Sequence, residues 1–134
     1  MIWGSRRAFA MVAVTLAVVL GTTGCARFRS VDRAKAVQRL REIDGMLTDL
    51  DRAYSTGKQT EAKQLATKIL FSFDNSIAET VVTQMDRPLH RKLEPILEKQ
   101  LTEKVEAGAP VSEVSALIAQ GHQLVGQAIR EIGR

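Results

Sequence analysis

Asp74, Glu79, His90 and Glu94 are the residues of this chain whose types and spacing suit chemistry. His90 and Glu94 are four apart, so on a helix both face one way. Asp74 and Glu79 are five apart on the segment before them. A turn at Asp86 separates the two segments and makes them antiparallel neighbours, which lets Asp74 or Glu79 approach Glu94. Carboxylates with one imidazole suit hard or borderline cations such as iron. The competing reading is plain. His-x-x-x-Glu is also a common exposed helix pair, worth a few tenths of a kcal/mol. Both readings stay open on sequence. His122, beside Gly121, reads as a rim residue or one satisfied by a neighbour.

Catalysis has little to stand on. The chain holds one Cys and two His, and no nucleophile–base constellation, Gly-rich phosphate loop or Cys/His zinc spacing is present. A non-catalytic protein is expected. Nucleic-acid binding would call for a basic stripe and stacking aromatics. Neither is evident: Trp3 lies in the N-terminal segment and Tyr54 is the single tyrosine.

Four amphipathic helices must position the carboxylates. In 30–54, Val37, Leu40, Ile43, Leu47, Leu50 and Tyr54 recur in steps of three and four. Ser30 is expected to cap the start and Gly57 the end. Arg33, Arg41, Asp44 and Arg52 fall on the opposite, solvated face. The second helix is expected over 60–84, with Ala62, Leu65, Ile69, Phe73, Ile77, Val81 and Met85 as its stripe. Leu70 and Phe71 widen that stripe, so this helix is expected to be the most buried. The third runs over 88–106, with Asp86 at its cap, Leu89, Leu93, Ile96, Leu97, Leu101 and Val105 inward, and a kink near Arg91 caused by Pro95. The last covers 112–132, with Gly121 placed for close approach of a neighbouring helix. No strand-like alternation occurs. The expected fold is all-α, an antiparallel up-down-up-down four-helix bundle over residues 31–134.

The chain opens MIWGSRRAFAMVAVTLAVVLGTTGCARFRS. Arg6 and Arg7 form a basic head, an apolar core of about 10 residues follows, and small residues lead to Cys25. The run is short for a membrane span, which needs about 20 apolar residues. Gly24-Cys25 resembles the processing site of bacterial lipoproteins, although Thr22 stands where Leu is usual. The resemblance implies that residues 1–24 are a signal peptide, that cleavage falls between Gly24 and Cys25, and that Cys25 carries lipid (diacylglycerol, commonly with an added acyl chain such as palmitate). The alternative is ordinary cleavage that leaves a free thiol. Ser5-Arg6-Arg7-Ala8-Phe9 also resembles the twin-arginine export motif. Residues 25–30 would be the lipidated tether. Discarding 1–24 takes the net charge from +4 to about +2. The expected location is the cell envelope, on the extracytoplasmic side of a membrane. Ala26 replaces the Asp that retains many lipoproteins at the inner membrane, which favours the outer one if the host is Gram-negative.

Residues 44–132 bear a further resemblance. Asp44, Ala53-Tyr54 with Gly57, Phe73-Asp74 with Ile77 and Glu79, Asp86-Arg87-Pro88-Leu89, Leu93-Glu94 and Gly108 together look like the extracytoplasmic helical domain associated with bacterial high-affinity iron permeases. Asp74 departs from that domain's Phe-Glu pair, and the permease motif Arg-Glu-x-x-Glu is absent from the sequence. The resemblance implies iron as the cation and Asp74, Glu79 and Glu94 as its acidic ligands. Two functions follow. One is a membrane-anchored interaction or accessory subunit with an unidentified protein partner. The other is a periplasmic iron-binding or delivery protein.

Overall fold

The computed structural model describes residues 29–134. The expected signal peptide, the Gly24–Cys25 processing site and all but the end of the tether lie outside the described residues. Within them the chain is all-helical, without a strand. The order is α1 (Ser30–Ser55), α2 (Gln59–Phe73), α3 (Ile77–Met85), α4 (Arg87–Pro95), a π-helical turn (Ile96–Gln100), α5 (Leu101–Glu106) and α6 (Val111–Ile132). No described helix is long and apolar enough to cross a membrane.

α1 and α6 are the long pair. Arg33 Nε and Nη2 donate to the Ile132 carbonyl at 3.0 and 2.7 Å. Asp44 meets His122 at 2.6 Å, and the Ser115 hydroxyl donates to Asp51 at 2.6 Å. The Tyr54 hydroxyl donates to the Ala109 carbonyl. Rising numbers on α1 pair with falling numbers on α6, so the two run antiparallel. Arg33 and Asp44 are therefore not spectators on a solvated face: one satisfies an orphan carbonyl at the end of α6, the other holds an imidazole. A Cβ on Gly121 would lie 3.3 Å from Leu47 Cδ1 and 3.7 Å from Ile96 Cγ2, which is the close approach its position suggested.

Two turns close the end away from the tether. Gly57 and Gly108 adopt φ of +76° and +64°. Lys58 N–H donates to Ala53 O and Ala109 N–H to Lys104 O, with Gly57 and Gly108 donating to Tyr54 O and Val105 O. These are paired Schellman closures, and glycine supplies the left-handed residue in each. At the opposite end of α1, Ser30 is the first helical residue, and no side chain caps the helix.

The expected second helix is two helices. Asp74-Asn75-Ser76 interrupts it, with Asn75 at φ +55°. Asn tolerates this region because its short polar side chain bonds locally; here Nδ2 donates to Asp74 Oδ1 at 2.8 Å. Ser76 then caps α3, its Oγ accepting from Glu79 N–H at 3.2 Å. α2 is also not the most buried element. Phe71 is 71% exposed, because at about 100° per residue it stands roughly 200° from both Ile69 and Phe73, which are buried. Met85, the last residue of α3, is 42% exposed.

Asp86 caps α4 as expected, its Oδ1 accepting from Leu89 N–H at 2.9 Å. The irregularity near Pro95 is a π turn C-terminal to it, not a simple kink near Arg91. Leu89, Leu93, Leu97, Leu101 and Val105 are all buried and all four apart. In a helix of 3.6 residues per turn, each step of four drifts by about 40°. One wider turn takes back part of that drift and keeps the row on the core. The core is apolar throughout, with no buried polar or charged residue among those described.

Candidate functional site

The start of α3 and the length of α4 with its π turn bring the acidic residues together. Glu79 is placed by Ser76, and its Oε2 accepts from Asn75 N–H at 2.6 Å. Its Oε1 lies 3.2 Å from His90 Nε2. On its other side His90 Nδ1 faces Glu94 Oε2 at 3.8 Å. The imidazole lies against the Phe73 ring, centroids 6.3 Å apart and planes 27° apart. Its side chain is 12% exposed, Glu79's 21% and Glu94's 47%. His90 and Glu79 are thus largely covered, and Glu94 reaches solvent.

Two sets of donors converge. Glu79, His90 and Glu94 each offer one ligand atom within 4.8 Å of the others, and so do Asp74, Glu79 and Glu98. Glu79 belongs to both. The four residues expected from the sequence thus fall in two sets that share Glu79, Asp74 in one and His90 with Glu94 in the other, and His122 stays apart with Asp44.

Glu98 is the residue that sequence reading missed. It was legible: His90, Glu94 and Glu98 repeat every four residues, and the π turn keeps the third on the side of the first two. Its Oε1 is buried without a hydrogen-bond partner. Burial pushes its carboxyl up from 4.5 to about 7. The charges of Glu79, Asp74 and Glu94 push the same way, and His90 opposes them. A buried polar atom left unpaired costs about 1–3 kcal/mol, and crowded carboxylates add repulsion. Two agents relieve both penalties, a proton on Glu98 or a cation among the carboxylates. Thr102, one more step of four along, also has a buried, unpartnered hydroxyl oxygen.

The donor chemistry fits a metal. Oxygen-rich ligands with one imidazole match ferrous iron, manganese or zinc more closely than soft cations. The Asn75–Glu79–His90 hydrogen bonds have a structural task as well, since they clamp the α2–α3 break to α4. That task accounts for Glu79 and His90 but leaves the unpartnered oxygen of Glu98 unexplained. No known protein family matches this chain, and no curated protein or solved structure matches it either.

Proposed function

We propose that this chain is a non-catalytic, lipid-tethered envelope protein whose helical domain holds a metal cation, iron in the first place, on Asp74, Glu79, His90, Glu94 and Glu98. The observation that carries the metal reading is Glu98: a carboxylate with a buried, unpaired oxygen facing three other carboxylates and an imidazole. The tether reading rests on the basic head, the apolar run and Cys25 in the sequence. In this account the domain is an up-down-up-down bundle of four limbs. α1 and α6 are two of them, α2 with α3 forms a broken second, and α4 through α5 the third. The protein would present or deliver its cation to a partner at the membrane, as the likeness to iron-permease domains implies.

Binding of ferrous, ferric and cupric ions to the metal-stripped chain, followed by calorimetry, tests this reading. One-site binding that Glu94→Gln and Glu98→Gln each weaken at least tenfold is expected. Silence with every ion, from protein whose circular dichroism shows it folded, overturns it. A second reading, a metal-free interaction module, is favoured by the clamp that Glu79 makes between Asn75 and His90. It predicts that Glu79→Gln lowers stability whether or not metal is added.

A further inference from the structure

The end of the molecule where the chain enters α1 is strongly and asymmetrically charged. The Arg33–Ile132 hydrogen bonds bring the start of α1 against the end of α6. Between them lies a groove of about 400 Å³ lined by Arg33, Ala34, Val37, Arg41, Ile132 and Arg134. Three guanidinium groups line it over an apolar floor, and no acidic side chain does. Arg29 and Lys35 are exposed beside it, and Val31, one residue into α1, is 57% exposed. The nearby acidic side chains are Asp32 and Glu131, and Glu131 accepts a hydrogen bond from Gln127 at 2.8 Å.

The opposite end contrasts with this. There Lys63 pairs with Glu106, Lys104 with Glu113, Lys58 with Glu61 and Arg52 with Asp49. Among the described residues, neither Arg41 nor Arg134 has a carboxylate partner within salt-bridge distance. Positive charge is thus neutralised in place at one end and left over at the other.

We propose that this basic end is a docking surface for an anionic lipid bilayer. Guanidinium groups pair with phosphate oxygens in a fork that suits headgroups. Basic side chains held near an anionic membrane attract it by about 1 kcal/mol each, or roughly fivefold in partitioning. Val31 adds an apolar contact at the interface. The chain segment that leads to Cys25 joins the domain at this same end, so a tethered domain meets the bilayer with its arginines first. The inference rests on the tether in the proposed function and is independent of the metal.

The test uses the full chain with vesicles of phosphatidylcholine alone or mixed with phosphatidylglycerol, at low and high salt. The readouts are flotation and amide hydrogen exchange. Exchange over residues 30–41 and 129–134 should slow on the anionic vesicles only, and the protection should vanish at high salt. Arg41→Gln with Arg134→Gln removes two charges and spares the Arg33 contact with α6. It should cut the preference for anionic vesicles roughly twentyfold. Equal exchange on both compositions overturns the docking surface even where the chain floats with both. Failure to float with phosphatidylcholine sinks the tether alone, and docking is then decided by the anionic vesicles. Protection that instead grows with protein concentration in the absence of vesicles assigns the groove to a second copy of this chain and overturns the proposal.

Discussion

Glu79 of α3 and Glu98 of the π turn present carboxylate oxygens within 4.8 Å of one another. Glu79 is also the first of the charges that raise the Glu98 carboxyl. Repulsion between two carboxylates that close favours a proton or a cation at the pair.

The metal-free protein should lose stability as pH rises from about 4.5 through 7. The folded state binds a proton on Glu98 more tightly than the unfolded chain does, so its share of stability is complete below 4.5 and gone above about 7. Discounted for solvent screening, the swing is about 1–2 kcal/mol. Glu98→Gln should flatten this slope and raise the melting temperature at pH 8. Urea unfolding across the pH range reads it directly. A stability that climbs steadily over that window would refute the assignment.

Asn75 sets the break between α2 and α3. Asn75→Gly should be nearly neutral, because glycine adopts φ +55° freely. Asn75→Ala should cost about 1 kcal/mol, because alanine keeps a Cβ in the left-handed region but loses the local hydrogen bond to Asp74 that lets asparagine tolerate it. Equal costs for the two in denaturant titrations would mean that the backbone angle is not what Asn75 is there for.

Two helix-interior glycines should respond in opposite ways. A Cβ on Gly45 meets nothing within 4 Å, so Gly45→Ala should stabilise α1 by about 0.5–1 kcal/mol. Gly121→Val would drive branched methyls toward Leu47 and Ile96 and should cost about 1–3 kcal/mol. Thermal melts of both variants compare them.

Tyr54→Phe removes the hydroxyl that ties α1 to the turn before α6. The loss should be about 0.5–1.5 kcal/mol. Faster amide exchange at Gly108 and Ala109 should accompany it.

How much of this was legible depended on whether local pattern and tertiary outcome agreed. α1 and α6 carry clean steps of three and four bounded by Gly57 on one side and Pro110 on the other, and their extents follow from that. The break at Asn75 was hidden because Phe73, Ile77 and Val81 keep a four-residue step straight through it. No glycine or proline marks the spot. Phe71 looked like core by its type, yet facing is decided by angle around the helix and not by hydrophobicity. Pro95 drew attention upstream to Arg91, and that obscured Glu98, the residue on the far side of the irregularity. The convergence of Asp74, Glu79, His90 and Glu94 was readable because a single cap, Asp86, folds one segment back on the other. The burial of one Glu98 oxygen was not, since it depends on how the π turn seats that side chain beside Asp74 and Glu79.

Anomalous diffraction from crystals of the chain grown or soaked with ferrous iron, recorded on both sides of the iron edge, would locate the cation. A peak is expected within coordination distance of Glu79 and Glu98, with Asp74 completing the set, and it should be lost in Glu98→Gln crystals. A clean map with no peak there, or iron bound only at Asp44 and His122, would contradict it.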